Sequence, residues 1–285
     1  MIVVTGATGK LGRHVIAGLL KKVPAAGIVA AVRDTAKAAD LAALGVHVRH
    51  ADYGDAASLD SAFKDAKSLL LISSSAIGQR VPQHAAVIAA AKRANVEQLA
   101  YTSILHADTS GMALASEHQA TEAAIRAAGI PCVFLRNGWY LENYTENLQP
   151  ALAHGVILGS AGDGRIAAAA RADYAAAAVA VLTGSGHAGK VYELAGDKAF
   201  TMTDLAAEVA RLSGKKVVYQ NLPAAEYEAA LTGFGMPAPV ARFLADADLG
   251  VSRGCLDDSG GQLSKLMGRA TTPLAVVLDN AIRNQ

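Results

Sequence analysis

The sequence predicts an α/β fold: a doubly wound parallel sheet carrying a smaller α/β lobe toward its C-terminal end. Three observations predict it. Short strand-like runs recur at 2–5, 28–32, 46–50, 68–72, 98–103 and 132–136. Helical patterns fill the gaps, at 10–22, 35–44, 56–66, 81–95 and 114–128. The first run enters its helix through the glycine-rich turn "TGATGKLG". Strands separated by helices are joined by right-handed crossovers, so the sheet is parallel and covered on both faces.

The glycine turn is the first functional signal. Gly6, Gly9 and Gly12 fall at three-residue intervals between strand and helix, with Ala7, Thr8, Lys10 and Leu11 among them. One glycine permits the tight turn, the next lets a pyrophosphate approach the backbone, and the third brings helix and strand together. The helix start then offers unpaired N–H groups and a partial positive charge to phosphates. Glycines alone mark many turns, but the strand–loop–helix setting is that of a Rossmann-type dinucleotide site.

The second run, "IVAAVRD", ends in Arg33, 21 residues beyond Gly12. An acid there would accept from the ribose 2′-OH of NAD, whereas an arginine suits the 2′-phosphate of NADP. The plainer reading is a solvated arginine paired with Asp34. The expected cofactor is therefore NADP(H).

Past Arg136 the alternation fades. An aromatic-rich loop at 137–147 precedes "GVILGSAGDGRI", which has four glycines between 155 and 164. A helix is expected at about 171–183, then a strand at "KVYELAG" and a helix after "TMTD", which Thr201 can cap. One strand and two helices follow in 216–250, and the tail turns helical from about 272. The chain divides into residues 1–150, the nucleotide-binding domain, and 151–285, a sheet-completing segment plus a smaller substrate lobe.

Composition narrows the partners. The chain has 285 residues, 52% hydrophobic and 18% charged, with a net charge of +1. That is enough material for a large core, and it carries no basic stripe for nucleic acid. Cys132 and Cys255 are too few for a disulfide framework or a zinc cluster, and Cys132 reads as core. The histidines lack metal spacing, so no metal is expected. Residues 166–184 look apolar, but Arg171 and Asp173 interrupt them, so a buried helix is expected rather than a membrane span. No leader is visible at the start, and a cytoplasmic location is expected. Monomer and homodimer both stay open.

"VTGATGKLG", "AAVRD", "LLLISSS", "AYTSILHADTS", "FLRNGWYLENY" and "SAGDGRIAAAARADYA" together resemble the NmrA-like branch of the short-chain dehydrogenase/reductase superfamily. The likeness extends along the whole chain and is nearest to the bacterial quinone and triphenylmethane-dye reductases of that branch. It implies that Ser73, Ser74 and Ser75 line the cofactor, and that the segment Asn137, Gly138, Trp139, Tyr140, Leu141, Glu142 closes over its nicotinamide half. It also implies that Arg171 reaches the cofactor; a surface ion pair with Asp173 is the alternative.

Typical members of the superfamily pair a serine with Tyr-x-x-x-Lys. Here Ser103 is followed by "EHQATE", placing His118 near the tyrosine position and Glu122 near the lysine position. A glutamate reverses the lysine's charge and cannot lower a neighbouring hydroxyl's pKa in the same way. A simple ketone needs an acid at its oxygen, while a quinone is already electron-deficient and its reduced anion is delocalised. The expected reaction is direct two-electron hydride transfer from NADPH to a quinone-like acceptor, with no flavin. His118 is either a weak candidate proton donor or a surface histidine paired with Glu122.

The acceptor pocket is expected beyond the C-terminal strand ends. Trp139, Tyr140 and Tyr144 fall within six positions, and flat rings suit a conjugated substrate; an ordinary core or interface cluster is the plainer reading. Phe234, in "LTGFGMP", is expected on the opposite wall, with Gln79 and His84 at the rim. The competing function is a non-catalytic NADP(H)-binding redox sensor that regulates a protein partner.

Overall fold

The structure is a computed structural model, and it describes residues 1–76, 78–146 and 148–284. The strands are Ile2–Thr5 (β1), Ile28–Val32 (β2), His47–His50 (β3), Ser68–Leu71 (β4), Gln98–Ile104 (β5), Cys132–Asn137 (β6), Val156–Gly159 (β7), Val191–Leu194 (β8) and Val218–Asn221 (β9). Seven of them form one all-parallel sheet in the order β3-β2-β1-β4-β5-β6-β8. The order reverses between β1 and β4. A crevice opens at such a switch point beyond the strand ends, where ligands bind in open α/β sheets.

The helices are Lys10–Leu19 (α1), Ala39–Ala43 (α2), Ala56–Ala62 (α3), Arg80–Arg93 (α4), Ala113–Ala128 (α5), Glu142–Thr145 (α6), Gln149–His154 (α7), Arg171–Thr183 (α8), Met202–Ser213 (α9), Ala224–Gly233 (α10), Ala238–Ser252 (α11), Gln262–Met267 (α12) and Leu274–Arg283 (α13). Successive strand residues serve opposite faces of the sheet. Val4, Ala30, Val32 and Leu70 pack with α1 and α8 through Val15, Ile16, Ala177 and Val181. Val3, Val29, Ala31, Leu69 and Leu71 pack on the other face with Leu59, Val87 and Ile125 of α3, α4 and α5. Burying a side chain of this size contributes about 1.5–3 kcal/mol. Gly18 lets α1 and α8 approach, because a Cβ there would stand 2.8 Å from a Val179 methyl.

A third apolar cluster holds the lobe, joining Leu141, Leu148, Phe200, Leu205, Val217 and Leu278. Its two-stranded sheet pairs β7 with β9 in parallel, Val156 opposite Val218. Thr201 does cap α9: its hydroxyl accepts from Asp204 N at 3.1 Å, and the Asp204 carboxylate accepts from Thr201 N at 2.9 Å. The expected glycine loop at 155–164 instead contains β7, and the expected aromatic loop contains α6, with α7 following it; the loop's last residue, Asn147, lies outside the described residues. Helix α12 was not expected either. Among the described residues no helix is long and apolar enough to cross a membrane.

Candidate cofactor and acceptor site

The glycine turn follows β1 at the switch point. Gly6 has φ of +57°, the left-handed conformation that a side chain resists, and its carbonyl accepts from Gly9 N at 2.9 Å. A Cβ on Gly12 would lie 2.4 Å from Gly6 O and 2.7 Å from Ala7 Cα, so only glycine lets the helix sit this close. Gly9 starts α1 without a side-chain cap, and the first turn holds no acid. The helix end therefore keeps its N–H groups for an outside anion. The Ala7 and Leu11 side chains are core members, which leaves only their backbones to serve a ligand.

Arg33 stands exposed just past β2. The alternative pairing with Asp34 does not occur: Asp34 accepts from Ala36 N at 3.0 Å and lies 3.9 Å from Lys37 Nζ. Arg13, by contrast, is occupied by Asp40 and the Lys37 carbonyl. Among the described residues Arg33 has no ion-pair partner, and it stands just past the end of β2, the neighbour of β1 in the sheet.

The serine segment is held from behind. Ser73 N donates to Thr102 Oγ1 at 2.8 Å, and Ser74 N donates to His84 Nε2 at 3.0 Å. Ser74 Oγ bonds Gln83 at 2.6 Å, and Arg80 donates to the Ser74 carbonyl at 2.7 Å while pairing with Glu117 at 3.1 Å. Since Thr121 Oγ1 gives its own proton to the Glu117 carbonyl, His84 Nδ1 is the donor toward it, at 3.0 Å. That fixes a neutral imidazole, and burial, helped by Arg80, pulls its pKa down to about 3. His84 is thus a fully buried brace for the loop, not a pocket-rim residue. Gln79 is exposed at the start of α4 and does not line the cavity described below.

Both readings of His118 are overturned. The ring is buried and its Nδ1 meets Tyr101 Oη at 2.7 Å, away from Glu122. Burial, then Arg80 and His84, hold its pKa near 3, so near neutrality it is a neutral ring and not an imidazolium acid. Glu122 is engaged elsewhere: it accepts from Ser103 Oγ at 2.7 Å and takes a two-pronged contact from Arg136, at 2.9 Å each. Arg136 also reaches Asp108 at 2.9 Å and Glu193 at 2.8 Å. The place of the usual acid–base pair is an inward-facing ionic network.

The segment after β6 divides its residues between two tasks. Tyr140 packs edge-on against Tyr174 at 5.3 Å, under the Arg171 guanidinium at 5.0 Å, and does not line the cavity. Leu141 is core, and the Glu142 carboxylate accepts from Arg171 N at 2.9–3.0 Å, capping α8. Arg171 is buried and pairs with Glu146 at 2.9 Å; Asp173, the expected surface partner, is 0% exposed and is held by Arg269 and Thr272. Glu146 also meets Lys10 of the glycine turn. Asn137 Oδ1 is buried with no hydrogen-bond partner, an acceptor waiting for a donor.

Trp139, Tyr144 and Phe234 line a cavity of about 940 Å³, and Trp139 stacks on Phe243 at 6.4 Å. Phe234 is 78% exposed at its rim. The remaining wall is mostly aliphatic, with Leu148, Leu205, Leu231 and Met236, and it includes Asn143, His154, Tyr227 and Asp248, which sequence reasoning missed. Nothing in "ADADLG" sets Asp248 apart from Asp246 by sequence alone. The glycine cradle, the unpaired Arg33 and the orphaned Asn137 oxygen fit a phosphorylated dinucleotide, and the aromatic cavity fits a flat acceptor. Among the described residues no cluster of His, Cys, Asp or Glu is arranged to hold a metal ion.

Comparison with known proteins gives consistent likenesses. The profile of the NmrA-like family matches residues 1–249. Quinone oxidoreductase 2 of Escherichia coli (strain K12) is 58% identical over 275 residues, which cover 96% of each chain. The crystal structure of an NADPH-dependent quinone oxidoreductase from Escherichia coli complexed with NADPH matches with TM-score 0.97 and 57% identity, over 98% of this chain and 99% of that one. The triphenylmethane reductase of Citrobacter sp. complexed with NADP(H) matches with TM-score 0.95 and 41% identity, over 99% and 100% of the two chains.

Proposed function

The chain belongs to the NmrA-like family, and we propose that it is an NADPH-dependent quinone reductase transferring two electrons at once. The observation that carries this reading is the pairing of Ser103 with Glu122. With that hydroxyl turned inward, no acid–base pair among the described residues serves a ketone oxygen, yet an aromatic cavity begins at Trp139, two residues past the C-terminal end of β6.

Backbone N–H groups of the turn from Gly6 to Gly12 hold the pyrophosphate, and the exposed Arg33 fork takes the 2′-phosphate. Ser73, Ser74 and Ser75 line the middle of the cofactor, on a loop that His84 and Arg80 keep in place. Asn137 and Gly138 flank the nicotinamide half, with Arg171 and Tyr140 as support beneath. When bound, NADPH supplies the hydride. Trp139 and Tyr144 orient a flat acceptor and keep water from its face; proximity and orientation then account for most of what a quinone requires.

The acceptor is a small conjugated molecule, and the protein works as a cytoplasmic enzyme. A redox sensor would have no use for a cavity of this kind. Mixing the protein with NADPH and a panel of quinones, while following nicotinamide absorbance, tests the reading. Saturable oxidation is expected; tight NADPH binding without turnover of any quinone would favour the sensor.

A further inference from the structure

Among the described residues, Asp248 is the only carboxylate lining the 940 Å³ cavity. It projects from α11, and its surroundings hold it in one pose. Oδ2 accepts from Ser160 N at 2.7 Å, and Gly159 leaves room for it, since a Cβ there would come within 2.8 Å of that oxygen. Among the described residues Oδ1 has no hydrogen-bond partner and no cation pairs with Asp248. Its ionisable neighbours are phenols: Tyr144 of α6, Tyr219 of β9 and Tyr227 of α10. Burial raises all three above the ordinary phenol value, so they stay neutral. Burial likewise pushes the Asp248 carboxyl up to about 6, opposed by the Ser160 N–H. An acid placed without a counter-ion in an aromatic cleft is costly to ionise and suited to give a proton.

Resting on the quinone-reductase reading above, we propose that Asp248 hydrogen-bonds an oxygen of the acceptor in this cavity and gives it a proton as charge gathers there. The acceptor gains two electrons and one hydrogen as hydride. Its oxygen then takes the Asp248 proton: the carboxyl O–H bond breaks as the new O–H bond forms. Solvent at the open mouth reprotonates the carboxylate, so each quinone reduced to hydroquinone consumes one NADPH and one H⁺. The acid–base pair lost near Ser103 is replaced by a single acid on the opposite wall.

D248N tests this, because its amide oxygen still accepts from Ser160 N and its NH2 still reaches an acceptor oxygen, but it cannot release a proton. The expected result is a quinone KM within about twofold of wild type and a kcat at least tenfold lower. The fall in wild-type kcat as pH rises through about 6 should vanish in D248N. A second readout needs no NADPH. Trp139 is the chain's single tryptophan and lines the cavity, so its quenching reports quinone binding. Affinity should weaken above pH 6 in wild type and stay level in D248N. H154Q replaces the imidazole that also lines the cavity, and it should retain the pH dependence. An active wild type whose D248N counterpart keeps its kcat and pH profile, or a pH dependence that disappears in H154Q, overturns the assignment. A wild type that oxidises NADPH with no quinone at all overturns the reductase reading itself.

Discussion

Ser103 Oγ lies 2.7 Å from Glu122 Oε1, and the same carboxylate receives both prongs of Arg136. The Arg136 guanidinium, held by Glu122 above all and then by Glu193 and Asp108, is pushed further above its already high pKa. The Arg136–Glu122 pair is the buried centre of this group, each side chain 6% exposed, whereas Asp108 is 67% exposed. R136M would leave Glu122 charged and buried without its main partner, at a cost of about 3–5 kcal/mol. The double variant R136M/E122Q should recover part of that loss. Urea unfolding at pH 7 measures both; equal stability of the two variants would count against the network.

Arg33 gives the most direct test of cofactor choice. R33A should lower kcat/KM with NADPH by about 1.5–3 kcal/mol, the worth of a charge-assisted contact, and leave NADH nearly unchanged. The ratio of the two kcat/KM values is the measurement. Equal losses with both cofactors would remove the 2′-phosphate from this position.

The main sheet, the glycine turn and Arg33 were legible because each depends on local pattern: β-branched runs, glycines at fixed offsets, a charge ending an apolar strand. Helices α6, α7 and α12 were not, being one or two turns long and lacking an apolar period. The glycines around Val156–Gly159 likewise masked β7, whose pairing with β9 is set by a partner some 60 residues away. Side-chain roles failed where burial decides them. His84, His118 and Arg171 read as available groups in the sequence, and only packing shows that loops, Tyr101 and Glu146 occupy them. Asp248 acquires its setting wholly from β7 and the lobe tyrosines.

The buried imidazoles give acid sensitivity a definite window. His84 and His118 titrate near 3 in the folded chain and near 6.5 when exposed. Between these values the unfolded state binds more protons, so stability rises with pH from about 3 to 6.5 and is fully present above that. H118Q should flatten this dependence by about one proton in urea titrations between pH 4 and 6.5. An unchanged slope would mean that His118 is not buried as a neutral ring.

Asp248 acts in the opposite sense. Its folded pKa of about 6 lies above the ordinary 3.8, so between these values the folded state binds the extra proton. Stability therefore falls as pH rises from about 4 to 6, and the full cost persists above 6. A shift of this size corresponds to about 3 kcal/mol at most, less whatever the cavity's openness to water relieves. D248N removes the ionisation while keeping the Ser160 contact, so it should stabilise the protein at pH 8 by about 1–3 kcal/mol and change little at pH 4. Urea midpoints at the two pH values decide it. A variant that is both more stable at pH 8 and slower with quinones would identify Asp248 as a strained acid retained for its chemistry; one that is less stable at pH 8 would show instead that the carboxylate has a stabilising partner there.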